Sequence, residues 1–380
     1  MKICAIICEY NPFHNGHLHQ LREAKRLSGA DAVICVMSGN FVQRGEAAIM
    51  DKYTRAQHAV KAGADVVVEL PTVFSTSNAE LFAKGGVHIL NSITEVEFLC
   101  FGAENANKSA FISAARCLND EPQEVSEKIK EIVAGGASYA KARAQAFAGF
   151  IPFELLSSPN NVLGIEYTKA ILASGSDIAI LPIPRVGQGY KDDTVQENFS
   201  SASAIRSAIE NGTPFVENLP DYVYRDLPKK LENALDKLEK YAVLNASVKE
   251  LQAICDCNEG LENAFKKVAA TEKSFVSALT SARYTSSRIR RIALQALLKI
   301  DESLIRECLH TPLYLRVLAA KKEAKEVLAA LSKANFPVIT RQTDANALTG
   351  TAKACFEKDI FAEQIHSLLY GEVKDKKIFI

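Results

Sequence analysis

The sequence predicts an α/β fold, a parallel sheet covered by helices, followed by a mainly helical C-terminal part. Three observations carry this. Apolar runs of strand length alternate with helical patterns over the first half of the chain. The breaks between them fall at Gly, Pro and Asn. From about Pro220 the strand signal fades into helix. Strands separated by helices need right-handed crossovers and so lie parallel. Sheets of this kind bind ligands beyond the carboxyl ends of their strands.

The elements follow in order. Ile3 to Ile7 is an apolar first strand, broken at Tyr10-Asn11-Pro12, and a helical pattern runs from near Gly16 to about Leu27. Asp31 to Ser38 is a second strand ending in a Gly39-Asn40 turn. Asp51 caps a helix that stops at Gly63, and Val66 to Leu70 is a third strand closed by Pro71. Ala79 to Leu90 is helical, and Val96 to Phe101 is a fourth strand ending at Gly102. About 105–150 reads as a helical insertion rich in Ala, Lys and Glu. The turn from Ser157 to Gly164 leads into a helix carrying Glu166, Tyr167 and Lys169. A strand at Ile178 to Ile183 runs into Pro184-Arg185 and a glycine-bearing loop over 186–190, and another helix begins within 199–206. Beyond Pro220 the pattern is helical to near 331, with short strands expected at Asn335 to Thr340 and Lys376 to Ile380.

A chain of 380 residues is long for one core. We place a first part at 1–220 and a second at 221–380. Hydrophobic content of 48% and charged content of 24% are those of an ordinary globular protein. No run of 18 apolar residues occurs and no targeting pattern precedes the first strand, so a cytoplasmic protein is expected, with no membrane partner. Nine cysteines, three of them in apparent buried strands (Cys4, Cys8, Cys35), agree with a reducing compartment. The lone C-x-C at Cys255 and Cys257 reads as incidental. Net charge is zero, but residues 221–380 hold 26 Lys and Arg against 21 Asp and Glu, a balance of +5, leaving −5 on the rest. The basic excess makes the second part the place to look for a nucleic-acid partner.

The most informative stretch is the junction of first strand and first helix. A strand, a tight turn and a helix N-terminus form an anion site, because the free N–H groups of the first turn face whatever sits above the strand. His14, Gly16 and His17 occupy that turn. Glycine admits a close ligand, and two imidazoles one turn apart can both donate to phosphate. Capping alone would also explain two histidines there. Zinc on His14, His17 and His19 is disfavoured because the three do not share a face. A second helix start, Ser200-Ser201-Ala202-Ser203 with Arg206 following, is either a redundant N-cap or a second phosphate grip. Arg185, at a strand end, is a phosphate ligand or an ion-pair partner. Pro159-Asn160-Asn161 is an ordinary helix entry or a reader of base or ribose. Finally, Arg283, Arg288, Arg290 and Arg291 flank Tyr284 without an acid between them. That suits an RNA backbone and a stacked base, or a solvated helix face.

His14-Asn15-Gly16-His17 after the first strand, with Ser200-Ser201-Ala202-Ser203-Ala204-Ile205-Arg206 after the last, resembles the HIGH-type nucleotidyltransferase superfamily. Longer blocks extend the match. Glu9 to His17, Ser38 to Glu46, Phe101 to Glu104, Pro159 to Tyr167 and Arg185 are similar to those of the bacterial tRNA(Met) cytidine acetate ligase family. The resemblance implies a Rossmann-like ATP-binding catalytic sheet domain over 1–220 and a helical tRNA-binding domain over 221–380. It implies that ATP and acetate form acetyl-adenylate, and that the wobble cytidine amine of elongator tRNA(Met) then takes the acetyl group. Carried onto this chain, His14, His17, Ser201, Ser203 and Arg206 are catalytic. ATP contacts fall on Ile7, Cys8, Glu9, Tyr10, Asn11, Pro12, Phe13, His14, Asn15, Gly16, His17, Leu18, His19, Gln20, Gly102, Asn161 and Arg185. The choice of Asn161 over Asn160 is open. The loop from Gly39 to Glu46 is a candidate for closing over acetate or cytidine. Magnesium is expected with ATP, and no structural metal. The four arginines at 283–291 would meet tRNA, so that Arg290→Glu or Arg291→Glu is expected to weaken tRNA binding while leaving acetate-dependent ATP turnover intact. A small-molecule adenylyltransferase and a non-catalytic RNA-binding protein on the same fold are the alternatives.

Overall fold

The computed structural model describes all residues except 138, 186–199, 229–233 and 373–375; the glycine-bearing loop at 186–190 therefore lies outside the described residues. Strand β1 (Ile3–Cys8) is flanked by β2 (Ala32–Ser38) and β6 (Val96–Ala103), all parallel. Strands β5 (Val66–Leu70) and β7 (Ala179–Pro184) extend the sheet in parallel on either side. Beyond β5 lie β8 (Leu315–Ala320), antiparallel to it, and β9 (Val338–Ile339), so the order is β7-β6-β1-β2-β5-β8-β9. A small antiparallel hairpin, β3 (Phe41–Val42) and β4 (Glu46–Ala47), rises from the end of β2.

Period-two alternation explains why both faces of the sheet are covered. In β1, Ile3, Ala5 and Ile7 join one core while Cys4 and Ile6 join the other; in β2, Ile34 and Val36 oppose Val33 and Cys35 in the same way. The covering helices include α1 (Asn15–Ser28), α2 (Lys52–Ala62), α3 (Ala79–Leu90) and α4 (Pro159–Ala173). Asp51 caps α2 by accepting from Tyr53 N and Thr54 N, as its sequence position requires. After β7 comes α5 (Ala202–Asn211). A third hydrophobic core, built on Val243, Leu251, Phe265, Phe275, Ile289 and Ile292, lies between α6 (Ser286–Leu298) and the helices that lead to it.

The sequence reading takes 221–331 as helix throughout, and β8 departs from it. The stretch Leu-Arg-Val-Leu-Ala-Ala is buried at every position, so it has no alternation to betray a strand, and most of its residues favour helix. Its partner, the exposed edge of β5, decides its conformation. The second part of the chain thus returns to the sheet of the first. The long α7 (Gly350–Tyr370) is tied to β8 by the pairing of Glu363 with Arg316, and Phe379 bridges Ala320.

Two buried charge clusters hold the loops above the sheet. The Arg55 guanidinium, fully buried, donates to the carbonyls of Glu9, Ser38 and Gly39, gathering the ends of β1 and β2. Below the hairpin, Lys52 Nζ meets both Glu69 oxygens at 2.7 and 2.9 Å, and Arg316 lies 3.1 Å from Glu69 and 3.2 Å from Glu363. Gly39 sits directly on this cluster, since a Cβ there would fall 2.5 Å from Glu69 Oε1.

Candidate active site

A cleft of about 590 Å³ opens beyond the carboxyl ends of β1, β6 and β7, a size suited to a nucleotide-scale ligand. Its floor is the β1–α1 turn. Here Tyr10 has a φ of 50° and the Asn11–Pro12 bond is cis. His14 caps α1: its Nδ1 accepts from Gly16 N at 3.1 Å, while His17 Nδ1 accepts from His14 N at 3.3 Å. The two rings stack with centroids 3.7 Å apart. Because both Nδ1 atoms accept, both protons sit on Nε2, and each ring is left with one N–H to donate to a ligand. Burial, with Arg185 and Arg206 nearby, lowers His14 to about 3; burial, His14 and Arg185 hold His17 well below the usual range. Both rings are neutral donors at physiological pH.

Across the cleft stands α5, with Ser201 as N-cap accepting from Ala204 N at 3.1 Å. Arg206 donates to Asn11 O at 2.7 Å and reaches Ser203 Oγ at 3.4 Å, tying α5 to the histidine turn. Two helix N-termini therefore face one space, with hydroxyls and a guanidinium between them, an arrangement that grips a polyphosphate. At the other end Gly102 and Arg185 line the cleft, Arg185 Nη1 lying 3.9 Å from Glu104 Oε1.

Of the residues read from the sequence, His14, His17, Ser201, Ser203, Arg206, Gly102 and Arg185 line this cleft, with Ile7 to Asn11, Gly16, His19 and Gln20. Pro12, Phe13, Asn15 and Leu18 do not; Phe13 is fully buried in the core and Asn15 Nδ2 donates to Glu217 O. Asn161 lies behind the wall, its Oδ1 accepting from Glu104 N and Asn105 N and its Nδ2 donating to Glu154 O. Asn160 is the one that faces the cleft, with Nδ2 on Glu104 Oε1 at 2.7 Å. Of the two amides only that of Asn160 lines the cleft, while the buried Asn161 head pins the chain after β6.

The hairpin lies in the Gly39 to Glu46 loop that the sequence marks as a whole, and it supplies residues not named there singly. Gln43 N donates to Glu9 Oε1 at 2.7 Å, and Arg44 Nη1 donates to Ser203 Oγ at 3.3 Å across the cleft. Nothing in the spacing of the hairpin residues marks Arg44; the β3–β4 turn places it. Glu46 then joins two elements, with Arg206 Nη2 at 3.4 Å and Arg290 Nη1 at 3.0 Å. Gly45 (φ +75°) packs on the α6 backbone, where a Cβ would fall 2.5 Å from Arg291 N. Ser287, in the first turn of α6, reaches the cleft itself.

The four arginines of this region are thus not a free surface. Arg288 holds Asp256 O and Asn258 Oδ1 and stacks over Tyr284, and Arg291 lies 3.7 Å from Asp256. Arg283, 49% exposed and paired with Glu259, is the most open of the ion-paired three, Arg290 being 35% and Arg291 11% exposed. Among the described residues no group of three His, Cys, Asp or Glu side chains is placed to hold a metal. All nine cysteines are free, and no described helix is long and apolar enough to cross a membrane.

A family model, HIGH Nucleotidyl Transferase, matches residues 1–378. The chain belongs to the HIGH nucleotidyl transferase family. Within it, a tRNA(Met) cytidine acetate ligase of Thermoanaerobacter sp. is 39% identical, over 97% of this chain and 96% of its own length. One from Caldanaerobacter subterraneus is 38% identical over 100% and 98%. Among solved structures, apo Thermotoga maritima TmcAL superposes with a TM-score of 0.90 at 32% identity, covering 99% of this chain and 97% of that one. The same protein bound with alpha-thio ATP gives 0.87 at 31%. The HIGH fold expected from the His14-to-His17 motif is the fold observed.

Proposed function

We propose that this chain is a tRNA(Met) cytidine acetate ligase, which activates acetate with ATP and acetylates the exocyclic amine of the wobble cytidine in elongator tRNA(Met). The observation that carries this is the full-length match to ligases of that name, joined to a cleft whose two helix N-termini converge on one space. In the first step an acetate oxygen attacks the α-phosphorus of ATP and pyrophosphate departs in line. Charge on the pentacovalent phosphorus is met by the Nε2–H of His14 and His17, with the dipole of α1 behind them, the N–H groups of His14 and Gly16 being taken up by the cap itself. Ser201, Ser203 and Arg206 hold the departing pyrophosphate. Gly102, Asn160 and Arg185 belong to the nucleoside end. Magnesium bound with the triphosphate would draw its ligands mainly from phosphate and water and would neutralise charge there, Glu9 being the one carboxylate among the described lining residues.

The RNA enters along α6, whose first turn reaches the cleft through Ser287. Arg283, with Tyr284 beneath it at 5.7 Å, offers a charge and a ring to the backbone and a base. A cytoplasmic setting goes with a tRNA substrate and nine reduced cysteines. The test is to incubate protein, ATP, magnesium and labelled acetate with and without bulk tRNA. Label on cytidine supports the whole reading. Acetyl-adenylate without labelled RNA keeps the first step and removes the acceptor. If ATP binds and neither product forms, a small-molecule adenylyltransferase replaces the ligase.

A further inference from the structure

We infer that Glu9 is the proton acceptor of the second step, taking the proton that the cytidine amine loses as it attacks the acetyl group. This rests on the function proposed above. An acid beside a triphosphate and a carboxylate repels both, yet Glu9 lines the cleft, alone among the described residues in carrying a carboxylate there. It is held in place from two sides. Gln43 N, on the hairpin, donates to its Oε1 at 2.7 Å, and Arg55 holds its backbone carbonyl. Its position is between the two substrates: the histidine turn follows it in the chain, and the hairpin that grips it leans on α6, the proposed RNA side.

The groups that face Glu9 are Arg44 and Glu46 from the hairpin, Arg206 from α5, and Tyr167 from α4. Burial raises Glu9 above the ordinary carboxylate range while the Gln43 N–H and the two arginines oppose the rise. A carboxylate so placed is more basic than one in water, the direction useful base catalysis requires. The need is chemical. The amine of cytidine is conjugated with its ring and weakly nucleophilic, and it becomes strongly acidic once nitrogen has bonded to carbon. In the step, the nitrogen lone pair forms the C–N bond to the acetyl carbonyl carbon. The tetrahedral adduct expels AMP with the electron pair of the C–O bond, and the N–H proton passes to a Glu9 oxygen and then to water.

The experiment separates the two steps in wild type, Glu9→Gln and Glu9→Asp. The first is read by acetate-dependent exchange of pyrophosphate into ATP, the second by single-turnover transfer from preloaded enzyme to tRNA. Glu9→Gln is expected to slow transfer by about 10²–10⁴-fold and exchange far less. It also removes the acidic limb from the pH profile of transfer, and Glu9→Asp restores part of the rate. Equal loss in both steps, with a raised magnesium requirement, makes Glu9 a metal or nucleotide ligand and overturns the inference. So does transfer at the wild-type rate. If Glu9→Gln does not fold, an acidic limb in Glu9→Asp unmoved from wild type and an unslowed transfer overturn it equally. Wild-type protein that binds ATP but shows no acetate-dependent exchange removes the proposed function, and this inference with it.

Discussion

The histidines show how a capping arrangement can set up chemistry. Each ring spends its Nδ1 on a backbone N–H of the same turn, so the tautomer is decided by the helix start and Nε2–H is what remains. His14→Asn keeps an acceptor for the cap but loses the donor at that depth. It is expected to lower pyrophosphate exchange by about 10²–10³-fold, the usual loss for one donor to a developing anion, with the fold intact by circular dichroism. The same ring has a signature in stability. Burial holds its folded pKa at about 3, below the ordinary imidazole value of 6.5, so the unfolded chain takes the proton first. Stability from this group is fully present above pH 6.5 and is lost as pH falls toward 3. Urea midpoints measured across that window should fall less steeply in His14→Asn than in wild type. At this scale much was legible. The motif named both rings and the serine–arginine helix start, because phosphate grips need particular residue types at fixed spacing. It did not separate Asn160 from Asn161, since which of two adjacent amides turns inward depends on Glu104, far away in sequence.

At the scale of elements, the hairpin and α6 act as one piece. The sequence marks each separately: a turn after β2, and a basic helix start near Ser286. Only the fold shows Glu46 between Arg206 and Arg290. This revises the expected separation of RNA and ATP functions. Arg290→Glu sets two carboxylates in the place of an ion pair 3.0 Å long, and repulsion from Glu46 is passed to Arg206. It is expected to weaken tRNA binding and also to slow exchange. Arg283→Ala, whose partner Glu259 does not line the cleft, should weaken tRNA binding while exchange stays within about twofold of wild type, in line with the small worth of exposed pairs. Filter binding and exchange assays on both variants check the contrast. Identical profiles for the two would show that the Glu46 link carries nothing.

The molecule as a whole is stabilised where first and second parts meet. Lys52 and Glu69, both 1% exposed, come from the first part, and Arg316 and Glu363 from the second. Lys52→Met leaves Glu69 short of a partner in a dry site. Breaking one member of a buried pair costs about 3–5 kcal/mol, a large share of a typical folding stability of about 5–15 kcal/mol. A thermal melt should show the loss, and a shift within error of wild type would mean that Arg316 alone neutralises Glu69. None of this was readable from the sequence. The parallel strands were, since each is an apolar run between turn residues, but β8 has no pattern of its own and its charge partners lie far from it along the chain. The antiparallel return of β8 also orders events during synthesis. Until residues 317–320 have left the ribosome, β5 stands as an open edge, the backbone N–H and C=O groups on its side away from β2 unclaimed, the kind of surface on which neighbouring nascent chains pair. A fragment cut at the end of the nucleotide-binding strands would keep that edge for good, so the helices between β7 and β8 are made while the sheet is still waiting to be closed.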